Sequence, residues 1–212
     1  LRYLLEPTDP TPSRLGVASS LVAVIIFFAV QALASLAGLL SSYAIAGVIA
    51  SIFCAVSLSN HSLSKPPRPE GGIVPALLLG VLACVGGGAL WLAALGHVSP
   101  LRELYESARA NAPVTWDPRD WQVVVLLVLA APLVEEFLFR GYVLRIMQSR
   151  WSPRAAMFAS ALLFAIVHPG WSFPPVFLLG LATAWLYVRS QRLWPGMVLH
   201  AVYNAAILAM HW

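Results

Sequence analysis

The sequence predicts an all-α membrane protein: a polytopic helical bundle of about seven transmembrane helices around an intramembrane polar cavity. Three observations lead there. Of the 212 residues, 59% are hydrophobic and only 10% charged, whereas soluble domains carry about 25% charged residues. The apolar residues fall into runs long enough to cross a bilayer, separated by short loops rich in Pro and Arg. The acidic, arginine and histidine side chains that do lie inside these runs are confined to the second half of the chain, at helical spacings.

Taken in order, residues 1–14 are polar and Pro-rich. Spans are predicted at 15–39 and 40–58, followed by a loop whose Lys65-Pro66-Pro67-Arg68-Pro69 run forbids helix. The third span is Ile73 to Leu95. Its Gly86-Gly87-Gly88 run would weaken a soluble helix, but between membrane helices small residues permit close approach. Residues 96–120 form the longest loop, with a short amphipathic helix over Leu101 to Ala110 and interfacial Trp116 and Trp121. The fourth span runs from Trp121 to Leu144, where Pro132 should kink it and loosen the backbone bonds nearby. The fifth, Ala155 to His168, is short and is stopped by Pro169-Gly170. Phe173 to Val188 and Leu193 to Trp212 complete the set. No internal repeat is visible, and the chain reads as one membrane domain over 1–212, its polar core at about 121–212.

The net charge of +4 is not a nucleic-acid signature, because the basic residues are spread over loops. Cys54 and Cys84 both lie in apolar runs and define neither a disulfide framework nor a cysteine metal site. The first apolar run lacks a cleavage signal and reads as a retained span. With the N-terminus in the cytoplasm, nine basic residues fall in cytoplasmic segments and three in outer ones, favouring N-in and C-out.

The chemistry centres on Glu135-Glu136-Phe137-Leu138-Phe139-Arg140. On a helix, Glu136 and Arg140 share a face and are placed to pair. Glu135 points about 140° away from Arg140 and is left to face something else. Two later spans contribute Phe164-Ala165-Ile166-Val167-His168 and His200-Ala201-Val202-Tyr203-Asn204, each with its polar or aromatic pair four apart. Two His, an Asn and a Glu pair on three helices point to one site. A buried Glu suits a general base, a His beside it can orient water, and a second His with an Asn can donate to an oxyanion. Glu135, His168 and His200 are also the ligand types of a zinc site, which stands as the alternative to a metal-free site. There is no His-Glu-x-x-His run and no Gly-x-Ser-x-Gly.

Glu135-Glu136-x-x-x-Arg140, Phe164-x-x-x-His168 and His200-x-x-x-Asn204, in this order, resemble the three motifs of the CAAX protease and bacteriocin-processing (Abi) family of intramembrane proteases. The resemblance covers about 121–212 and implies a glutamate-dependent endopeptidase acting on a membrane-anchored or lipidated protein or peptide. It implies catalytic roles for Glu135, His168, His200 and Asn204, with water activated by the first two and the oxyanion held by the last two. Glu136, Arg140 and Phe164 would support them. No cofactor is expected on this reading. The bilayer and an anchored substrate are the expected partners, with no nucleic acid, in a bacterial inner membrane. A proton-coupled transporter and a non-catalytic immunity or binding protein of the same fold are the rival readings.

Helix rise sets an expected depth. His200 lies about 10 Å in from Leu193, and Glu135 about 14 Å from Leu144, both measured from the cytoplasmic side. The site is therefore expected between the bilayer centre and the cytoplasmic half, with its cavity opening toward the cytoplasm.

Overall fold

In a computed structural model the chain is described over residues 72–110 and 120–210, together with a few helical positions between 22 and 49. Most of the first two predicted spans thus lies outside the described residues. Six helices follow: α1 (Ile73–His97), α2 (Ser99–Ala110), α3 (Trp121–Gln148), α4 (Pro153–Ile166), α5 (Phe173–Ser190) and α6 (Trp194–Met210). Among the described residues there is no strand. Helices α1, α3 and α5 (the last counted with its leading turn, Gly170–Ser172) are long and apolar enough to cross a membrane, whereas α4 and α6 are shorter apolar helices. The chain is an integral membrane helical bundle.

Local chemistry sets the helix ends. Asp120 caps α3, its Oδ1 accepting from the Gln122 N–H at 2.9 Å. Ser152 caps α4 ahead of Pro153, which needs no donor in the first turn. Helix α5 ends on Gln191, whose left-handed backbone (φ 53°) turns the chain into α6 within a few residues.

Helix α5 is central, packing on α1, α4, α6 and the second half of α3. The predicted small-residue approach is found: a Cβ on Gly88 of α1 would stand 2.8 Å from Ile207 Cδ1 of α6. The amphipathic α2 lies beyond α1, and Tyr105 on it meets Trp171 edge to face at 5.1 Å. Trp171 O also accepts from Trp91 Nε1 of α1 at 2.8 Å. These aromatics tie α1 and α2 to the turn that follows α4.

Helix α3 is continuous but not uniform. Leu126–Ala130 and Phe137–Leu144 are π-helical, and they flank an α-helical segment, Ala131–Glu136, that carries Pro132 and both glutamates. The loosening expected around Pro132 takes this form. Such wide turns often sit at functional sites, because they leave carbonyls for other donors. Ser160 of α4, for example, donates to Phe139 O at 3.3 Å.

One predicted boundary is corrected. The fifth span was expected to run to His168, but α4 ends at Ile166. A residue before proline is held away from helical backbone, so Pro169 excludes His168 from the helix. His168 opens a turn instead, its N–H bonding Ala165 O at 3.2 Å.

Candidate active site

Glu136 and Arg140 pair as their spacing predicts, with Nη1 3.0 Å from Glu136 Oε1 and both side chains fully enclosed. The contact is an ion pair without hydrogen-bond alignment, since Nη1 has no hydrogen-bond partner. Arg140 Nη2 donates to Gly180 O of α5 at 3.1 Å. The guanidinium lies over the Phe164 ring, 4.4 Å from its centre. Glu136 Oε1 also meets His200 Nδ1 at 3.1 Å. Arg140 thus neutralises Glu136, and Glu136 orients His200.

His168 is oriented from the helix that precedes it. Its Nδ1 lies 2.7 Å from Phe164 O, and a carbonyl only accepts, so Nδ1 carries the proton. Phe164 packs on both imidazoles, with ring centres 4.6 Å from His168 and 5.7 Å from His200. Each histidine uses Nδ1 for anchoring and turns Nε2 toward Glu135. His168 Nε2 is 3.7 Å and His200 Nε2 3.9 Å from Glu135 Oε2. When both rings are neutral, two lone pairs and a carboxylate oxygen face one spot. Acceptors that converge in this way need a shared hydrogen donor, and a water molecule is the simplest one.

Glu135, Glu136, Arg140, Phe164, His168 and His200 therefore form one contiguous cluster. Asn204 faces α3 as well, but its Nδ2 donates to the Leu127 carbonyl at 2.8 Å. Glu135, His168 and His200 carry donor types that suit zinc. Among the described residues, no group of three His, Cys, Asp or Glu side chains is arranged to hold a metal ion. Ligands sharing a tetrahedral zinc at about 2.0–2.2 Å would stand about 3.3–3.6 Å apart, slightly closer than the 3.7 and 3.9 Å found here.

Two supporting positions were missed by sequence reasoning. Gly196, in the first turn of α6, faces Glu136: an added Cβ would stand 2.9 Å from Glu136 Oε2. Gly180 brings α5 against α4, where a Cβ would meet the Ala161 backbone at 3.1 Å. A lone glycine inside a helical pattern was the available signal for both.

The stretch of α3 from Leu138 through Leu144, between the glutamates and the basic Arg145, is buried throughout. His200 is 2% exposed. His168 has 24% of its side chain exposed and sits on the turn at the far end of α4.

The comparisons with known proteins agree with the motifs. Residues 117–206 match the family model described as type II CAAX prenyl endopeptidase Rce1-like. The motif-bearing region is thus similar to the CAAX protease family. Two relatives, both from Lactococcus lactis subsp. lactis (strain IL1403), cover part of the chain. UPF0177 protein YbdI is 31% identical over 119 residues, covering 55% of this chain and 64% of its own length. UPF0177 protein YxdF is 32% identical over 81 residues, covering 37% of this chain and 44% of its own length. The chain thus spans less than two thirds of these relatives. No solved structure matches it.

Proposed function

We propose that this protein is an intramembrane endopeptidase that hydrolyses a peptide bond in a membrane-anchored or lipidated protein or peptide. The observation that carries this reading is the convergence of Glu135 Oε2 with His168 Nε2 and His200 Nε2. A water molecule held there has its hydrogens directed at acceptors and its lone pair outward. Glu135 takes one proton as the water oxygen attacks the peptide carbonyl, with His168 holding the second hydrogen. The C–O bond forms, the carbonyl oxygen becomes an oxyanion, and the C–N bond then breaks. Glu135 returns its proton to the leaving amine. His200, anchored by Glu136, stabilises the oxyanion from Nε2 when that nitrogen is protonated. Arg140 and Phe164 hold this arrangement without meeting the substrate. The reading needs no metal, and it places the chain in a bacterial inner membrane with the N-terminus in the cytoplasm.

The test uses the full chain, purified in detergent or liposomes, against a panel of lipidated and membrane-anchored peptides in ¹⁸O water. Cleavage with one ¹⁸O in the new carboxylate, lost in Glu135→Ala and retained after chelation and dialysis, is expected. Loss of activity on removing a stoichiometric zinc, with recovery on its return, would replace this mechanism with Lewis-acid catalysis. Ion or solute flux without cleavage would replace the hydrolase with a transporter.

A further inference from the structure

Helix α3 has a proline where its own ladder needs a donor. Over Leu126–Ala130 the backbone is π-helical, and the Ala131 N–H bonds five residues back, to Leu126 O. In that register the next rung would join the N–H of residue 132 to Leu127 O. Residue 132 is proline and has no N–H. The α-helical donor for the same carbonyl would be the Ala131 N–H, which is already committed to Leu126. Leu127 O is thus left without a rung from its own helix, in a segment where water is scarce and an unsatisfied carbonyl is costly.

Helix α6 supplies the missing donor: Asn204 Nδ2 stands 2.8 Å from Leu127 O. Asn204 is one turn beyond His200 and on the same face. His200 Nδ1 meets Glu136 Oε1 at 3.1 Å. One face of α6 therefore grips α3 at two places, Glu136 and Leu127, and Glu135 lies between them in the chain.

We infer that Asn204 is a positioning residue, which replaces the hydrogen bond that Pro132 removes and so fixes where Glu135 stands relative to His168 and His200. Pro132 and Asn204 form one device split over two helices. The kinetic consequence rests on the hydrolase reading; the hydrogen-bond exchange itself is a property of the fold. The family resemblance has Asn204 donate to the oxyanion; its Nδ2 carries two hydrogens, and the one bonded to Leu127 O acts on the backbone that carries the base.

A double-mutant cycle tests the inference in the full chain, with Pro132→Ala, Asn204→Ala and the pair compared for thermal midpoint, kcat and KM. Pro132→Ala restores an N–H where the ladder lacks one. Asn204→Ala alone is expected to lower kcat about tenfold or more with KM little changed. In the Pro132→Ala background the same change should cost about threefold or less, because Leu127 then has a donor from its own helix. Equal kcat losses in both backgrounds would overturn the inference and return Asn204 to the substrate. A lowered midpoint with unchanged kcat in the folded fraction would overturn it too, leaving a purely structural bond. If the wild type cleaves none of the peptides, the midpoints decide alone: coupled midpoints support the exchange even though the hydrolase reading has failed, and additive ones overturn it. If Pro132→Ala does not fold, the infrared band of an isotope-labelled Leu127 carbonyl takes its place. A shift to higher wavenumber in Asn204→Ala supports the hydrogen bond; an unmoved band overturns it.

Discussion

Glu135 and Glu136 are neighbours in the chain but live in different surroundings. Glu136 is enclosed among Arg140, His200 and Gly196, on the side closed by the buried stretch from Leu138 to Leu144. Glu135 faces the two imidazole Nε2 atoms on the side where His168 reaches the surface. One acid is a fixed structural charge; the other faces two imidazole nitrogens and keeps 10% of its side chain exposed. The contrast shows how a single helical step, about 100°, can separate holding a site together from operating it.

The largest effect that can break this comparison is on catalysis. Glu135→Gln keeps the shape of the side chain and removes the base, so hydrolysis should fall by about two to four orders of magnitude with the melting point nearly unchanged. Kinetics and a thermal melt on the same preparation check it. Glu136→Gln should do the reverse and destabilise the fold, by about 3–5 kcal/mol, because Arg140 then keeps its burial but loses its counter-charge. If the two variants melt together, the division of labour is wrong.

A smaller effect sharpens the contrast. Gly196→Ala pushes a methyl group to within 2.9 Å of Glu136 Oε2, an overpacking expected to cost about 1–3 kcal/mol. That cost should disappear in a Glu136→Ala background, where the methyl has room. An undiminished cost there would place the strain elsewhere. The smallest perturbation probes access. In a variant lacking Cys54 and Cys84, Gly170→Cys on the exposed turn should react with an impermeant thiol reagent applied to the face opposite Arg145 and Arg189. Reaction only from the basic face would place this turn, and His168 beside it, on that side.

Much of this site was legible in the sequence. The four-residue spacing of Glu136 and Arg140 gave their ion pair, and the angular offset of Glu135 gave its separate direction. The glycine run of α1 announced a close helix contact. Other features depend on information that spacing does not carry. His168 was placed on a helix because its four-residue interval from Phe164 suits one, but the following proline ends that helix, and the interval serves a ring-to-carbonyl bond instead. Gly196 was invisible because its role is set by a carboxylate 60 residues earlier in the chain.

The shortness of α4 has a consequence for the lipid around it. Fourteen residues of helix rise about 21 Å, well short of a ~30 Å hydrocarbon core. The turn after it has non-helical backbone, and the protein itself supplies bonds to it, by His168 to Ala165 O, by Ser172 to Pro169 O and by Trp91 to Trp171 O. Hydrophobic mismatch of this size is met by thinning of the bilayer beside the helix, by snorkelling of flanking residues or by association with longer helices. Where the bilayer thins, the hydrolase proposed above would need to bring an anchored peptide bond down only part of a leaflet to Glu135.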